Sequence, residues 1–342
     1  MIRRVAPVFA LALAAACTSR PSPEPPAPPP AASQPVPAAQ APANISHGEA
    51  PVGVPETPPP VNPVAPPPSR RPVHAVRLEI RHTTVTPAEG VKYEAWTFGG
   101  AVPGPVFRMT EGDTMDFTLI NRAPIPHSMD FHAAEIAPSR FYTNILPGDS
   151  IHYRFVARVP GVFLYHCGTA PVAAHIANGM YGALIVDPRV PRRPAREFVF
   201  VQSEFYFNAT TSPGAAHSLD WDKLLGLAPD HVVFNGRAAQ YASSPIAVKP
   251  GELLRLYVVD AGPNRASAFH VVGAVFERVF EDALARPTLQ GVQTVQVPVG
   301  GTGIFEVRLR EEGEYPFVSH AFADATKGAV GVFSATKAAT PP

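Results

Sequence analysis

Two short stretches of this 342-residue chain concentrate side chains that can hold a metal ion. PHSMDFHAA (126–134) contains His127, Asp130 and His132, and FLYHCGTAPVAAHIANGMYG (163–182) contains His166, Cys167, His175 and Met180. Two imidazoles, a thiolate and a weakly bound thioether are the donor set of a blue-copper electron-transfer centre. His127, Cys167, His175 and Met180 supply that set. The last three lie on one strand-end loop, which can wrap them round a single ion, while His127 comes from an earlier strand. Copper prefers different geometries in its two oxidation states, so the donors need a rigid framework that holds one arrangement. A methionine after glycine is ordinarily a core residue, and a lone histidine is ordinarily a hydrogen-bonded structural one. The specificity lies in the combination. His47, His74, His82, His152, His217 and His231 show no such grouping and read as surface or structural residues.

The framework is readable from Val73 onward, where short runs with period-2 alternation are broken by Gly and Pro, the pattern of β-strands. TMDFTLIN puts Met115, Phe117 and Leu119 on one face, and SIHYRFVA does the same with Ile151, Tyr153 and Phe155. Helical periodicity is scarce apart from SLDWDKLLGL at 218–227. An internal repeat is visible. EGDTMDFTLIN (111–121) echoes PGELLRLYVVD (250–260), and PGDSIHYRFVARVPG (147–161) echoes VGGTGIFEVRLREEG (299–313). FLYHCG falls where FVSHAF falls, which matches His166 to His320 and Cys167 to Ala321, and GMYGALIV matches KGAVGVF. This predicts an all-β chain of two tandem Greek-key β-sandwiches, residues 73–190 and 191–336, with a tail at 337–342. Only the first kept the cysteine.

The repeat also explains the histidines left outside the first cluster. Adjacent side chains on a strand point to opposite faces, so a Cys167 that points into its own domain sends His166 outward. PHSMDFHAA likewise offers His127 to one site and His132 to another. His320 is the second-domain counterpart of His166, and His270 falls near the counterpart of Asp130 and His132. Bringing two such faces together makes a site from His132, His166 and His320. Three protein ligands with an open position describe a catalytic metal.

The chain opens MIRRVAPVFALALAAAC, with Arg3 and Arg4, an apolar run from Val5 to Leu13, and small residues before Cys17. That is the layout of a cleaved secretory signal, and the apolar run is too short for the ~20 residues of a membrane span. The cysteine after small residues resembles the bacterial lipobox. Lipidation of Cys17 would anchor the protein on the periplasmic or cell-surface side of a bacterial membrane, the outer membrane being the expected one. It would also leave Cys167, the only other cysteine, with no disulfide partner. A free thiol is a liability in an oxidising compartment unless something binds it. Residues 18–72 hold nearly half of the 43 prolines and almost no large apolar residues, so they predict an extended tether. At ~3 Å per residue it spans on the order of 150 Å. Formal net charge is zero and 46% of residues are hydrophobic, so a folded core is expected and no basic face argues for nucleic acid.

PHSMDFHAA, FLYHCGTAPVAAHIANGMYGALIV, VVFNG, GPNRASAFHVVG and YPFVSHAFADATKGAVG together closely resemble the copper-containing nitrite reductases, over about residues 76–335. The chain is most similar to the branch with a short Cys-to-His loop, which includes lipid-anchored outer-membrane enzymes. The resemblance implies two cupredoxin-like domains and one-electron reduction of nitrite to nitric oxide, as in denitrification. It implies one type 1 copper per chain, at His127, Cys167, His175 and Met180, and one type 2 copper at His132, His166 and His320. The last would reach in from a neighbouring subunit of a homotrimer. It further implies Asp130 and His270 as the acid–base pair and Val272 as the residue packed over the type 2 copper, where the family usually has Ile. The expected electron donor is a small redox protein of cytochrome c or cupredoxin type, with the electron passing through the Cys167–His166 link. Two other readings make different demands. A laccase-like multicopper oxidase builds a trinuclear cluster largely from His-x-His pairs, and no such pair occurs in the chain. An electron-transfer protein without a catalytic site leaves His132, His166, His270 and His320 without a use.

Overall fold

The computed structural model describes residues 58–210 and 212–337. Cys17 and His47 lie outside the described residues. The first sandwich contains β1 (Val73–Ala88), β2 (Val91–Phe98), β3 (Phe107–Thr110), β4 (Thr114–Asn121), β5 (Asp130–Phe131), β6 (Ser150–Val156), β7 (Gly161–His166) and β8 (Tyr181–Asp187). Its sheets run β2-β1-β4-β6 and β3-β8-β7-β5. The second contains β9 (Arg196–Phe205), β10 (His231–Phe234), β11 (Ser244–Val248), β12 (Leu253–Gly262), β13 (Ser267–Val271), β14 (Arg278–Glu281), β15 (Thr294–Val297), β16 (Thr302–Arg308), β17 (Gly313–Ser319) and β18 (Val330–Ala335). Its sheets run β10-β9-β12-β16-β14 and β11-β18-β17-β13-β15. Two Greek-key sandwiches in tandem are therefore present. Parallel β1–β4 with antiparallel β4–β6 recurs as β9–β12 with β12–β16. Parallel β3–β8 with the β8–β7–β5 ladder recurs as β11–β18 with β18–β17–β13.

Alternation drives the first core, where Met115, Phe117 and Leu119 of β4 are buried with Phe131, Tyr165 and Cys167. It fails on β8 and β12, whose residues are buried almost without interruption. The sheet holding β8 is covered on both sides. Leu184 and Val186 face the first core, while Val162, Leu164, Ala183 and Ile185 pack against Val199, Val201, Tyr257, Val259 and Ile304 of the second sandwich. A strand covered on both faces reads as a continuous apolar run.

The β7–β8 ladder has one position without room for a side chain. Tyr165 lies opposite Gly182, and its hydroxyl donates to the Pro105 carbonyl at 2.6 Å. A Cβ at residue 182 would meet the Tyr165 ring at 2.3 Å, so only glycine fits there. The helix expected near 218–227 is present as Trp221–Leu225, its start capped by the Asp220 carboxylate, which accepts from the Lys223 N–H at 2.9 Å. Helices at Val172–Ala177, Gln240–Ser243 and Phe322–Thr326 were not expected, because four to six residues are too few to show a helical period. No helix among the described residues is long and apolar enough to cross a membrane.

Composition assigns residues 58–72 to the tether, but here they lie along the folded part. The Val61 N–H donates to Gln240, the Tyr241 hydroxyl donates to the Val61 carbonyl, and the Ala65 N–H donates to the Glu197 carbonyl. The non-proline residues between the prolines supply the donors that make this seating possible.

A buried ion network joins the sandwiches. Arg108 is bidentate to Asp187 at 2.7 and 2.9 Å, and its third nitrogen reaches Glu197 at 2.7 Å. The other Glu197 oxygen accepts from Arg255 at 2.7 Å and from the Tyr257 hydroxyl at 2.9 Å. Glu197 thus bridges an arginine from each sandwich. Burial raises its pKa, but the hydrogen bond and charge of Arg108, with hydrogen bonds from Arg255 and Tyr257, outweigh burial and hold it below the usual carboxylate value. A depressed folded-state pKa contributes stability above the unfolded value and loses it as pH falls through the folded one. Glu197→Gln should therefore cost on the order of 3 kcal/mol at neutral pH. Thermal melts across pH should show that gap narrowing below about pH 4, near the unfolded-state carboxylate pKa. A gap independent of pH would mean that the carboxylate charge contributes nothing.

Candidate metal centres

The β7–β8 ladder carries on past its last named pair, with the Cys167 N–H donating to the Met180 carbonyl at 3.0 Å. Cys167 and Met180 are thereby held side by side, both fully buried in the first core. Between them the chain makes the helix Val172–Ala177, which carries His175, and the Met180 N–H donates to the His175 carbonyl at 3.1 Å. His127 is fixed separately, by paired backbone bonds to Ile145 at 3.2 and 2.7 Å. The Asn121 amide steadies that loop by donating to the carbonyls of Ile125 and Ile145.

These elements bring three donors together. His127 Nδ1 and His175 Nδ1 are 3.1 Å apart, and Cys167 Sγ lies 4.0 and 3.2 Å from them. Burial, with His175 and His82 nearby, lowers the His127 pKa to about 2, and burial lowers that of His175 to about 4. Both rings are neutral at ordinary pH and offer a lone pair. Burial raises the Cys167 thiol, against hydrogen bonds that include the Ser128 N–H at 3.3 Å from Sγ. A buried thiolate between two neutral imidazoles requires a cation, and a soft one fits sulfur and nitrogen donors. Ser128 ties the wall of the pocket, its hydroxyl accepting from the Gly168 N–H at 3.0 Å.

A second cluster begins one residue before Cys167. His166 Nε2 is 3.1 Å from His132 Nε2 and 3.8 Å from an Asp130 carboxylate oxygen. His166 Nδ1 donates to the Cys167 carbonyl at 2.9 Å, which leaves Nε2 as a bare acceptor. Burial and the neighbouring His166 lower the His132 pKa, so it too tends to the neutral form. Among the described residues, no other histidine joins His132, His166 and Asp130 in a metal-sized group. His270, Val272 and His320 sit together on the second sandwich, on or just beyond the paired strands β13 and β17. The His270–His320 ring centroids are 5.1 Å apart at 76°, against 5.1 Å and 81° for His132–His166.

Strand register refines the repeat. Phe131 pairs with Tyr165 and the His132 N–H donates to the Leu164 carbonyl, while Phe269 pairs with Ser319 and His270 with Val318. Matching Phe131 to Phe269 makes His270 the counterpart of His132, and Ala268 that of Asp130. His82, read from the sequence as an ungrouped surface or structural residue, packs against one of the donors. Its Nε2 is 3.1 Å from His127 Nε2, on the far side of that ring from the thiol. Sequence spacing hid it, because 45 residues separate the two histidines and only the packing of β1 brings them together. The other described histidines outside the clusters bond to non-histidine partners: His74 to Asp113, His152 to Asp116, and His217 and His231 to backbone carbonyls.

A family model described as multicopper oxidase matches residues 79–191, the part that holds both first-domain clusters. A copper-containing nitrite reductase of Neisseria meningitidis is 37% identical over 273 residues, covering 78% of this chain and 70% of the relative. One from Neisseria gonorrhoeae is also 37% identical, over 78% and 69% of the two chains. The solved copper nitrite reductase of Nitrosomonas europaea is 36% identical and superposes with a TM-score of 0.73, covering 79% of this chain and 96% of that one. With more than a third of positions shared over most of both partners, this chain belongs to the copper-containing nitrite reductases.

Proposed function

We propose that the chain reduces nitrite to nitric oxide and water, consuming one electron and two protons, at two copper centres of unlike kind. What carries this reading is the covalent adjacency of the clusters: Cys167 belongs to one, His166 to the other, and a single peptide link separates them. Copper, when bound, supplies one-electron redox chemistry at the first centre and a Lewis-acidic open position for the anion at the second. His127, Cys167, His175 and Met180, all buried, would hold the type 1 ion. His132 and His166 hold the type 2 ion together with His320 of the partner subunit. The matched histidine pairs on the two sandwiches, each with one exposed and one half-buried ring, support a homotrimer, in which the first sandwich of one chain faces the second of the next through a heterologous cyclic interface.

Asp130 and His270 flank the anion as proton donors. The Asp130 side chain is 29% exposed, close enough to His166 to reach a ligand on the same ion and open enough to exchange protons with water. His270 Nδ1 donates to the Gln293 carbonyl at 2.8 Å, which fixes the ring and leaves Nε2 to face the anion. Val272, two residues on and 43% exposed, forms an apolar lid that is roomier than isoleucine. Electrons come from a small redox protein of cytochrome c or cupredoxin type. A lipid on Cys17 holds the trimer at a bacterial membrane, on the periplasmic or cell-surface side and with the outer membrane the favoured one. This placement rests on the N-terminal sequence alone. A blue-copper electron-transfer protein would need only the first cluster and would leave the two histidine pairs without purpose.

Asp130→Asn and His270→Asn keep similar shapes and remove the donating groups. Both variants should bind two coppers per chain and accept an electron at the type 1 centre, yet turn nitrite over ~100- to 10,000-fold more slowly. Loss of the type 2 copper in His270→Asn would instead make His270 a ligand. Parental turnover in Asp130→Asn would reduce the carboxylate to an orienting group. Shared ligation is tested by mixing inactive His132→Ala chains with inactive His320→Ala chains. Mixed trimers should regain part of the activity, and a monomer with full type 2 occupancy would contradict the arrangement.

A further inference from the structure

His82 extends the inward face of β1. Leu78 and Ile80 are core residues, and the alternation that buries them carries the His82 side chain to the same side of the sheet. The pairing of β1 with β4 stops at Ile80, so His82 lies just past the core, at its type 1 end. Its cross-strand partner is Trp96, and the two rings stack at 5.2 Å and 9°. The Trp96 ring in turn packs edge-on against His127 and His175, at 5.7 and 4.8 Å. The stack delivers His82 Nε2 to within 3.1 Å of His127 Nε2.

A neutral imidazole has one N–H and one bare nitrogen. His127 turns Nδ1 toward Cys167 and His175, so if that atom gives its lone pair to an ion, the proton must sit on Nε2. The atom waiting there is His82 Nε2, which then accepts, keeping its own proton on Nδ1. From this geometry we infer that His82 is a positioning residue for the type 1 centre: it accepts the Nε2–H of His127 and thereby fixes the tautomer and orientation of that ligand. The inference rests on the type 1 reading of the Cys167 cluster. Partners that hold the outer nitrogen of a metal-bound histidine typically change metal affinity 10–100-fold when removed.

Packing and hydrogen bonding are separable at this position. His82→Phe keeps a ring over Trp96 and loses the acceptor, His82→Leu loses both within the same space, and His82→Gln restores an acceptor without the ring. The copper-loaded protein would be followed by its visible thiolate-to-copper band, its type 1 midpoint potential and its copper retention, with the type 2 paramagnetic signal as an internal control. His82→Phe and His82→Leu should shift band and potential together and release type 1 copper ~10-fold or more readily, leaving the type 2 signal unchanged. His82→Gln should return close to the parent. Parental band and potential in both acceptor-less variants would overturn the inference, and so would equal displacement in His82→Gln, which would assign the effect to the ring. Absence of the band from the parent itself would mean that the type 1 reading, rather than the role of His82, has failed.

Discussion

Neighbouring residues on a strand must face opposite ways, and the end of β7 puts that constraint to chemical use. Cys167 turns into the first core beside Met180, and His166 turns out toward His132. Everything nearby serves to hold that one dipeptide. Gly182 lets Tyr165 lie flat across the ladder, the Cys167–Met180 backbone bond prolongs the pairing, and Ser128 contacts both the thiol and the following peptide. A slip of one residue in this register would exchange the two faces and dismantle both clusters at once.

The second sandwich repeats the outward half of this arrangement without the inward half. Its histidine pair has the separation and inclination of the first, but Ala321 follows His320 where Cys167 follows His166. One copy therefore contributes imidazoles to a surface, and the other contributes imidazoles and a buried thiol. The Glu197 bridge and the apolar layer between the sandwiches fix how the two copies are presented. Burying three charges is costly unless each is paired, and here Asp187 and Glu306 complete the coordination of the two arginines.

The proposed donors were legible in the sequence because soft side chains are scarce and fall at short spacings. The repeat then pointed to His320, far away in sequence. What escaped was the product of packing between distant segments. His82 meets His127 only because β1 and β2 pair in a register that stacks it on Trp96. The equivalence of His270 to His132, rather than loosely to Asp130 and His132 together, needed the hydrogen-bond register of β13 on β17. Strands covered on both faces, such as β12, lose the alternation on which strand reading depends, though their apolar runs remain visible. Proline content masked the seating of residues 58–66, in which the residues between the prolines supply the N–H donors while Pro63 and Pro66 accept through their carbonyls.

In the proposed arrangement one peptide link joins two copper centres of different kind, of which only the outward one meets nitrite. An electron paramagnetic resonance spectrum of the copper-loaded protein, recorded without and with nitrite, tests it most directly. Two cupric signals of equal weight are expected, one with the small copper hyperfine splitting that a thiolate ligand produces and one with a large splitting. Nitrite should alter the second and leave the first unchanged. A single signal, or two signals that are both indifferent to nitrite, would contradict the claim.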